Sequence, residues 1–335
     1  MNGSNAHRQK GAALLAVLWL TAALSAIAFT VASTVRGETE RSSTDSDGLK
    51  AYYLACGAID RMLLYIELEG AFHKSGGKPI FEETTRVLPL DFPTGVVLGE
   101  FIPETSKLNV NSVQPQLLNN LLLALGVDPA RAGLITAAIL DWRRPSPGGS
   151  FTEFDQHYLS LVPSFRARHA SLQEIEELLL VQGVTPDLFY GTYTRDPQGG
   201  LVPHAGLRDC LSVYGTTGSV DVNTVEPAVM MALGISPETA AAIVALRQTA
   251  PIANLGQLAP FRGHGPGMER LAIGRGTVAT LRATARLRLP NGQLSDVRRT
   301  VSAVVKFLEP DSPLIQPGVP RYHILRWYDN AVALQ

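Results

Sequence analysis

Gly11–Val35 reads GAALLAVLWLTAALSAIAFTVASTV, twenty-five residues with no charged side chain. As a helix rising about 1.5 Å per residue it is roughly 35 Å long, enough to cross a hydrocarbon core. His7, Arg8 and Lys10 precede it in a polar leader, and Arg36 ends it. Cations ahead of the span keep the N-terminus cytoplasmic and send everything after Arg36 to the far side. A secretory signal peptide has an apolar stretch of about 7–15 residues and a small-residue cut site. Ala26-Ile27-Ala28 offers such a site, but the apolar run continues past it to Val35. A plain signal anchor fits the length.

Beyond the span, Arg36 to Asp47 is polar, and apolar residues then recur at Leu49, Tyr52, Tyr53, Cys56, Ile59, Leu63 and Ile66. These spacings describe one face of an amphipathic helix. With no proline between Met1 and Lys78, the pattern predicts one long helix from about Ala12 to Glu69, apolar all round in its first half and one-sided in its second. Ser75-Gly76-Gly77 is its expected end. A third reading of the leader then opens. The junction Lys10-Gly11-Ala12 resembles the leader of type IV pilins and pseudopilins, which a prepilin peptidase cuts after the glycine. The mature N-terminus separates the three: Ala12 for a pseudopilin, Met1 for a signal anchor, Phe29 for a secreted protein.

The chain has 335 residues and a net charge of -1, so it lacks the basic excess of a general nucleic-acid binder. Its two cysteines, Cys56 and Cys210, are far apart and show no metal-ligand spacing. In an oxidising compartment they are candidates for a disulfide; otherwise they are small buried hydrophobes.

The middle of the chain repeats. Asn109-Val110-Asn111-Ser112, a leucine-rich helix, Leu125-Gly126-Val127-Asp128-Pro129 and a helix from Ala132 to Trp142 form one unit. Asp221-Val222-Asn223-Thr224, Met230 to Leu233, Gly234-Ile235-Ser236-Pro237 and Ala240 to Arg247 form another. Ser112 and Thr224 are candidate N-caps, the glycines suit a left-handed helix end, and the prolines suit the first turn of the next helix. Ser171 to Glu174 has capping-box spacing and opens a helix to Val181, after which Gly183-Val184-Thr185-Pro186 repeats the turn. The counterpart in the second unit, Leu255 to Leu271, is degraded by Gly263, Gly265, Pro266 and Gly267. Strands are expected at Val96 to Ile102, from Val278 around an Asn291-Gly292 turn to Phe307, and at Tyr322 to Tyr328. The antiparallel sheet they form has one face available to the long helix.

Catalytic patterns are missing. Histidines 73, 157, 169, 204, 264 and 323 are scattered, with no HExxH, GxSxG or Walker loop. Paired hairpins entered by Val-Asn-Ser or Val-Asn-Thr resemble the helix-hairpin-helix fold of DNA-binding proteins, whose hairpin reads Gly-apolar-Gly. Here Asp128, Thr185 or Ser236 replaces the second glycine, and Asp128 repels a phosphate. Ser219 to Leu258 carries Asp221, Glu226 and Glu238 against Arg247 alone, so little counterion-release energy is available. A compact module for packing or protein contacts is the better account, and nucleic acid is not an expected partner. Asp141, Glu153 and Asp155 are the carboxylates that a calcium ion would need, but Arg143-Arg144-Pro145 intervenes with positive charge. Surface carboxylates explain them better, and no cofactor is expected.

In this order the features resemble one family closely: general secretion pathway protein K, the large minor pseudopilin of type II secretion. The resemblance covers nearly the whole chain. It rests on Lys10-Gly11, Leu108-Asn109-Val110-Asn111, Ala138-Ile139-Leu140-Asp141-Trp142-Arg143, Ser171 to Gly191, the Val222-Asn223-Thr224 unit and the terminal strands. It implies an α+β, pilin-like fold: a long N-terminal helix on an antiparallel sheet, with a large helical domain of two helix-hairpin-helix-like units inserted. The expected divisions are a leader at 1–11, a transmembrane part at 12–35, periplasmic helix and first strands at 36–106, the insertion at 107–275 and final strands at 276–335. It further implies a single-pass inner-membrane protein that is not an enzyme and sits at the tip of a periplasmic pseudopilus. Its implied partners are minor pseudopilins I and J, the major pseudopilin, a prepilin peptidase acting between Gly11 and Ala12, and the inner-membrane assembly platform. Most pilins carry glutamate at the fifth mature position; the K family does not, and here that position is Ala16. Some relatives have acidic clusters near the helical domain, and Arg144 and Pro145 depart from them. The runner-up is a membrane-anchored DNA receptor of the competence type.

Overall fold

The computed structural model describes residues 5–68, 80–81, 85–195, 199–274, 276–308 and 320–329, with side chains from residue 14 onward except at position 147. Helix α1, Asn5–Glu67, is continuous through the apolar run and the domain-facing part. It starts before the expected Ala12, and the expected stop at Ser75-Gly76-Gly77 lies outside the described residues. Next come β1 (Val87–Phe92), β2 (Gly95–Pro103) and β3 (Leu108–Asn109). Helices α2 (Pro115–Ala124), α3 (Pro129–Arg143), α4 (Glu153–Leu159) and α5 (Pro186–Tyr190) follow, then the hairpin β4 (Thr192–Arg195) and β5 (Leu201–His204). After these lie α6 (Leu207–Cys210), β6 (Leu211–Ser212), β7 (Val220–Asp221), α7 (Pro227–Ala232), α8 (Pro237–Thr249) and β8 (Leu271–Ala272). The chain then enters β9 (Val278–Arg288), β10 (Leu294–Phe307) and β11 (Tyr322–Tyr328).

The main sheet has the order β1-β2-β9-β10-β11 and is antiparallel throughout. β2 and β9 pair directly, with Val97 opposite Ala285 and Phe101 opposite Leu281, although the helical region lies between them in sequence. That region is therefore inserted between neighbouring strands. β1 is absent from the expected strands; it is an edge strand, where the missing N–H donor of Pro89 is tolerated.

Alternation in β9 sends Ala279, Leu281, Ala283 and Ala285 to the face that receives α1. The helix buries Ala51, Ala55, Ala58, Ile59, Met62, Leu63 and Ile66 there. The expected stripe is rotated by this: Leu49 and Tyr53 remain 57% and 65% exposed. Small residues set the rotation because α1 lies close to the sheet. A β-carbon at Gly99 would come 2.7 Å from Met62 Sδ, and one at Gly95 2.8 Å from Leu54 Cδ2.

The inserted region has its own core, built on Leu118, Leu121, Leu122, Ile135, Ile139, Val229, Met230 and Ile243. Cys210 is buried in it while Cys56 packs against the helix–sheet core, and both thiols are free, so the candidate disulfide is not formed. Polar bonds tie the two cores together. Arg86 donates to Asp221 (3.3 Å) and the Tyr328 hydroxyl to Glu174 (3.1 Å), and Arg326 pairs with Glu174.

Candidate functional site

The site has two parts, the exposed run of α1 and the duplicated helical module. From Leu14 to Val35 every residue of α1 is exposed, including Trp19 at 74% and Phe29 at 76%. Among the described residues this is the one helix long and apolar enough to cross a membrane. Thr21, Thr30, Ser33 and Thr34 turn their hydroxyls back onto carbonyls three or four residues earlier, so these donors need no water. Gly11 and Ala12 fall inside the helical backbone, and Ala16 is exposed within the apolar run. On the polar side of Val35, Arg36 pairs with Glu40 at 3.2 Å.

In the module, the two units share a bonding skeleton that the sequence reading missed. Asn111 exchanges two bonds with the backbone of Leu172 (Nδ2 to O, 2.9 Å; N to Oδ1, 2.7 Å). Asn223 makes the same pair with Ile252 (3.0 and 2.8 Å). Arg143 donates to the carbonyls of Val110 and Val113 (2.5 and 2.7 Å), and Arg247 to those of Val222 and Val225 (2.9 and 2.7 Å). Burial pulls both guanidinium pKa values down, and the paired carbonyls offset that cost. Glu177 accepts from the N–H groups of Gln173 and Glu174; Gln257 does so from Ala253 and Asn254. A parallel bridge closes each unit, Leu108 to Leu211 and Val220 to Leu271. The signal was present in Val-Asn-Ser/Thr-Val followed by an arginine late in the second helix.

This skeleton corrects several expectations. Ser112 and Thr224 do not cap helices; they sit in turns closed by Val113 N to Asn109 O (2.8 Å) and Val225 N to Asp221 O (2.9 Å). Helices α2 and α7 begin later, at Pro115 and Pro227. The helix expected from Ser171 is a 3-10 turn, Ile175–Leu180, entered at Glu174, because the Asn111 clasp holds Leu172 outside it. The Leu255 to Leu271 segment is not degraded in its bonding, and Gly265 and Gly267 have a packing reason. A β-carbon at Gly265 would lie 2.0 Å from Gly234 O, and one at Gly267 2.7 Å from Leu233 O. The glycines expected to end helices do so in left-handed geometry, Gly126 at φ 82 and Gly234 at φ 92.

These details bear on phosphate binding. Asp128 accepts from the N–H groups of Ala130 and Arg131, and Ser236 from that of Thr239. Donors that open α3 and α8 are thus already paired. The second hairpin is also covered by Gly265-Pro266-Gly267, so a phosphate backbone cannot approach it.

Of the three carboxylates considered for calcium, Glu153 is exposed but Asp155 is fully buried, contrary to a surface assignment. Its Oδ1 accepts from Ala167 N (3.1 Å). Its Oδ2 accepts from Thr152 N (3.1 Å), Arg166 Nε (3.4 Å) and His169 Nε2 (2.9 Å). Asp141 accepts from Thr152 Oγ1 at 3.1 Å. Both Asp155 oxygens are spent on protein donors, among them the Arg166 guanidinium, so this donor set does not fit a hard cation. Among the described residues no group of three His, Cys, Asp or Glu side chains is arranged to hold a metal.

Residues 101–191 match the family described as type II secretion system (T2SS), protein K. That match and the relatives below make the chain similar to protein K of type II secretion. Over 240 residues it is 25% identical to the type II secretion system protein K of Klebsiella pneumoniae, covering 66% of this chain and 68% of that one. Over 203 residues it is 28% identical to the same protein of Pectobacterium carotovorum subsp. carotovorum, covering 54% and 60%. Its fold matches a chain from the crystal structure of the GspK-GspI-GspJ complex of the enterotoxigenic Escherichia coli type 2 secretion system. That match has a TM-score of 0.55 and 16% identity, and covers 86% of this chain and 98% of that one. The α+β, pilin-like architecture with its inserted helical region is therefore one that this chain shares with a chain of that complex.

Proposed function

We propose that this protein is a non-enzymatic minor pseudopilin that occupies the tip of a type II secretion pseudopilus with subunits of the I and J kind. There it starts assembly and supports export of folded proteins. One observation carries the reading: an apolar helix with no acidic residue from Leu14 to Val35 runs unbroken into a pilin-like domain enlarged by a helical insertion. In an assembling fibre a glutamate at the fifth mature position neutralises the N-terminal amine of the subunit above, and such a pair favours docking where an isolated charge is costly. Ala16 offers no carboxylate, so this subunit has no such reason to dock beneath another. Its amine at Ala12, freed by cleavage after Gly11, still recruits a glutamate-bearing subunit from below. Docking on one side only, with a bulky insertion above, places it at the end of a fibre.

The N-terminus is cytoplasmic in this reading, the span lies in the inner membrane and the bulk is periplasmic; the cations at His7, Arg8 and Lys10 support it. Cysteines placed near Ala12 and Ala16 test the tip assignment. Crosslinks to I- and J-type partners are expected, and self-crosslinked ladders like those of a major pseudopilin would rule it out. Replacing Gly11 with a bulky residue should leave full-length protein in the membrane and stop secretion. Sequencing the mature N-terminus distinguishes this reading from a signal anchor or a secreted protein.

A further inference from the structure

We infer that the stretch between Arg143 and Leu172 is ordered by a doubly protonated His169 bridging α3 to Asp155, so that its order follows pH and not a divalent cation. Comparison of the units isolates the stretch. In the second unit, residues 248–251 connect Arg247 to Ile252; in the first, residues 144–171 connect the equivalent Arg143 and Leu172. The longer connection folds around one buried cluster.

The protonation state follows from geometry. His169 Nδ1 lies 3.1 Å from the Asp141 carbonyl oxygen, and Nε2 lies 2.9 Å from Asp155 Oδ2. A carbonyl and a carboxylate only accept, so both ring nitrogens must donate, and a neutral imidazole supplies one proton too few. The ring is 9% exposed and Asp155 is fully buried, so a lost proton leaves an unpaired group away from water. His169 is also the one non-glycine with positive φ, 49°, among the described residues. Such a conformation persists where surrounding bonds demand it.

Every charged or titratable group around the ring can be placed. From α3 comes Asp141, with its carboxylate 3.9 Å from Nδ1. From α4 come Asp155 and Tyr158, whose hydroxyl accepts from Gln182 N. From the following loop come Arg166, on Asp155, and Arg168, on Glu177 of the 3-10 turn (2.9 Å). Burial opposes the charged ring, but the bonds to Asp155 and the Asp141 carbonyl outweigh it and raise the His169 pKa above its ordinary value. Burial likewise opposes the Asp155 charge, but the bonds from His169, Thr152 and Ala167 prevail and lower its pKa. The raised histidine contributes its full stabilisation below about pH 6.5, and loses it as pH rises through the folded value. The lowered aspartate contributes above its ordinary range and loses it only in strong acid.

The test uses the full-length protein in detergent micelles, with histidines labelled in the ring for NMR and amide exchange followed over residues 144–171. The His169 titration midpoint is expected above about 6.5. Protection factors in this stretch are expected to fall about tenfold per pH unit above that midpoint, the change that accompanies one proton lost. Asp155→Asn should move the midpoint down, and His169→Gln should leave protection low at every pH. Calcium chloride and EDTA should each leave protection unchanged. A midpoint at or below 6.5, pH-independent protection in the parent protein, or protection gained on adding calcium would each overturn the inference.

Discussion

The two units of the helical module carry the same skeleton and differ in what hangs on it. In both, an asparagine clasps the backbone of a distant residue, an arginine from the second helix reaches two carbonyls, and a parallel bridge closes the unit. Only the first unit adds α4 with its buried cluster and the exposed hairpin β4–β5. The difference teaches that loop length matters little when the ends of a loop are held by the same bonds. Loop-closure entropy grows only logarithmically, so a clasp of two or three hydrogen bonds fixes a long connection nearly as well as a short one.

The largest effect is expected where the first unit has something the second lacks. Tyr158 is 1% exposed, lies 5.6 Å from the Trp142 ring and 5.2 Å from Phe165, and accepts a bond from Gln182 N. Tyr158→Ala should cost about 3–5 kcal/mol by chemical denaturation, as for other large buried aromatics. A cost under about 1 kcal/mol would mean that α4 is peripheral to the module.

The shared arginines come next. Arg143→Met and Arg247→Met each leave two carbonyls without a charged donor, for an expected loss of about 2–4 kcal/mol. The Arg247 variant should be the costlier. Burial, then nearby Asp209, raise the Glu226 pKa, while Arg247 counters the shift. Equal losses would indicate that the carbonyl bonds alone matter. The asparagines should follow: Asn111→Ala and Asn223→Ala should each cost about 1–2 kcal/mol. Agreement within about 0.5 kcal/mol is the sharp expectation, because loop length enters only weakly. A much larger loss at Asn111 would break the equivalence of the units.

What was legible in the sequence follows the strength of local pattern. Gly11–Val35 and the alternation of β9 and β10 announce themselves because a whole element repeats one period. The face of α1 did not, since large apolar residues were assigned inward while the helix buries Ala51, Ala55 and Ala58 against the sheet, whose Gly99 and Gly95 leave room for Met62 and Leu54. β1 carries Pro89 and sits at the edge of the sheet, a place that the local sequence does not specify. Ser112 and Thr224 have capping chemistry but lie in turns set by Asn109 and Asp221. Asp155 read as a surface acid because its partners, Arg166 and His169, come from a loop whose return is visible only in three dimensions.

The smallest effect concerns the hairpins themselves, where the units differ by Asp128 against Ser236. Both side chains accept from the first N–H groups of the following helix. Aspartate and serine rank alike as N-caps, so Asp128→Ser, which makes the hairpins alike, should change stability by less than about 0.5 kcal/mol. The same variant probes the competing DNA reading. If the aspartate were all that kept phosphate away, its removal should create binding visible in a gel shift at low salt, where electrostatic association is strongest. No shift is expected. A serine oxygen still occupies the helix-opening donors, the second hairpin stays under Gly265-Pro266-Gly267, and the module gains no cation. Tight binding with a steep salt dependence would instead make the hairpins a latent nucleic-acid surface, and would set the first unit apart from the second in function as well as in its loops.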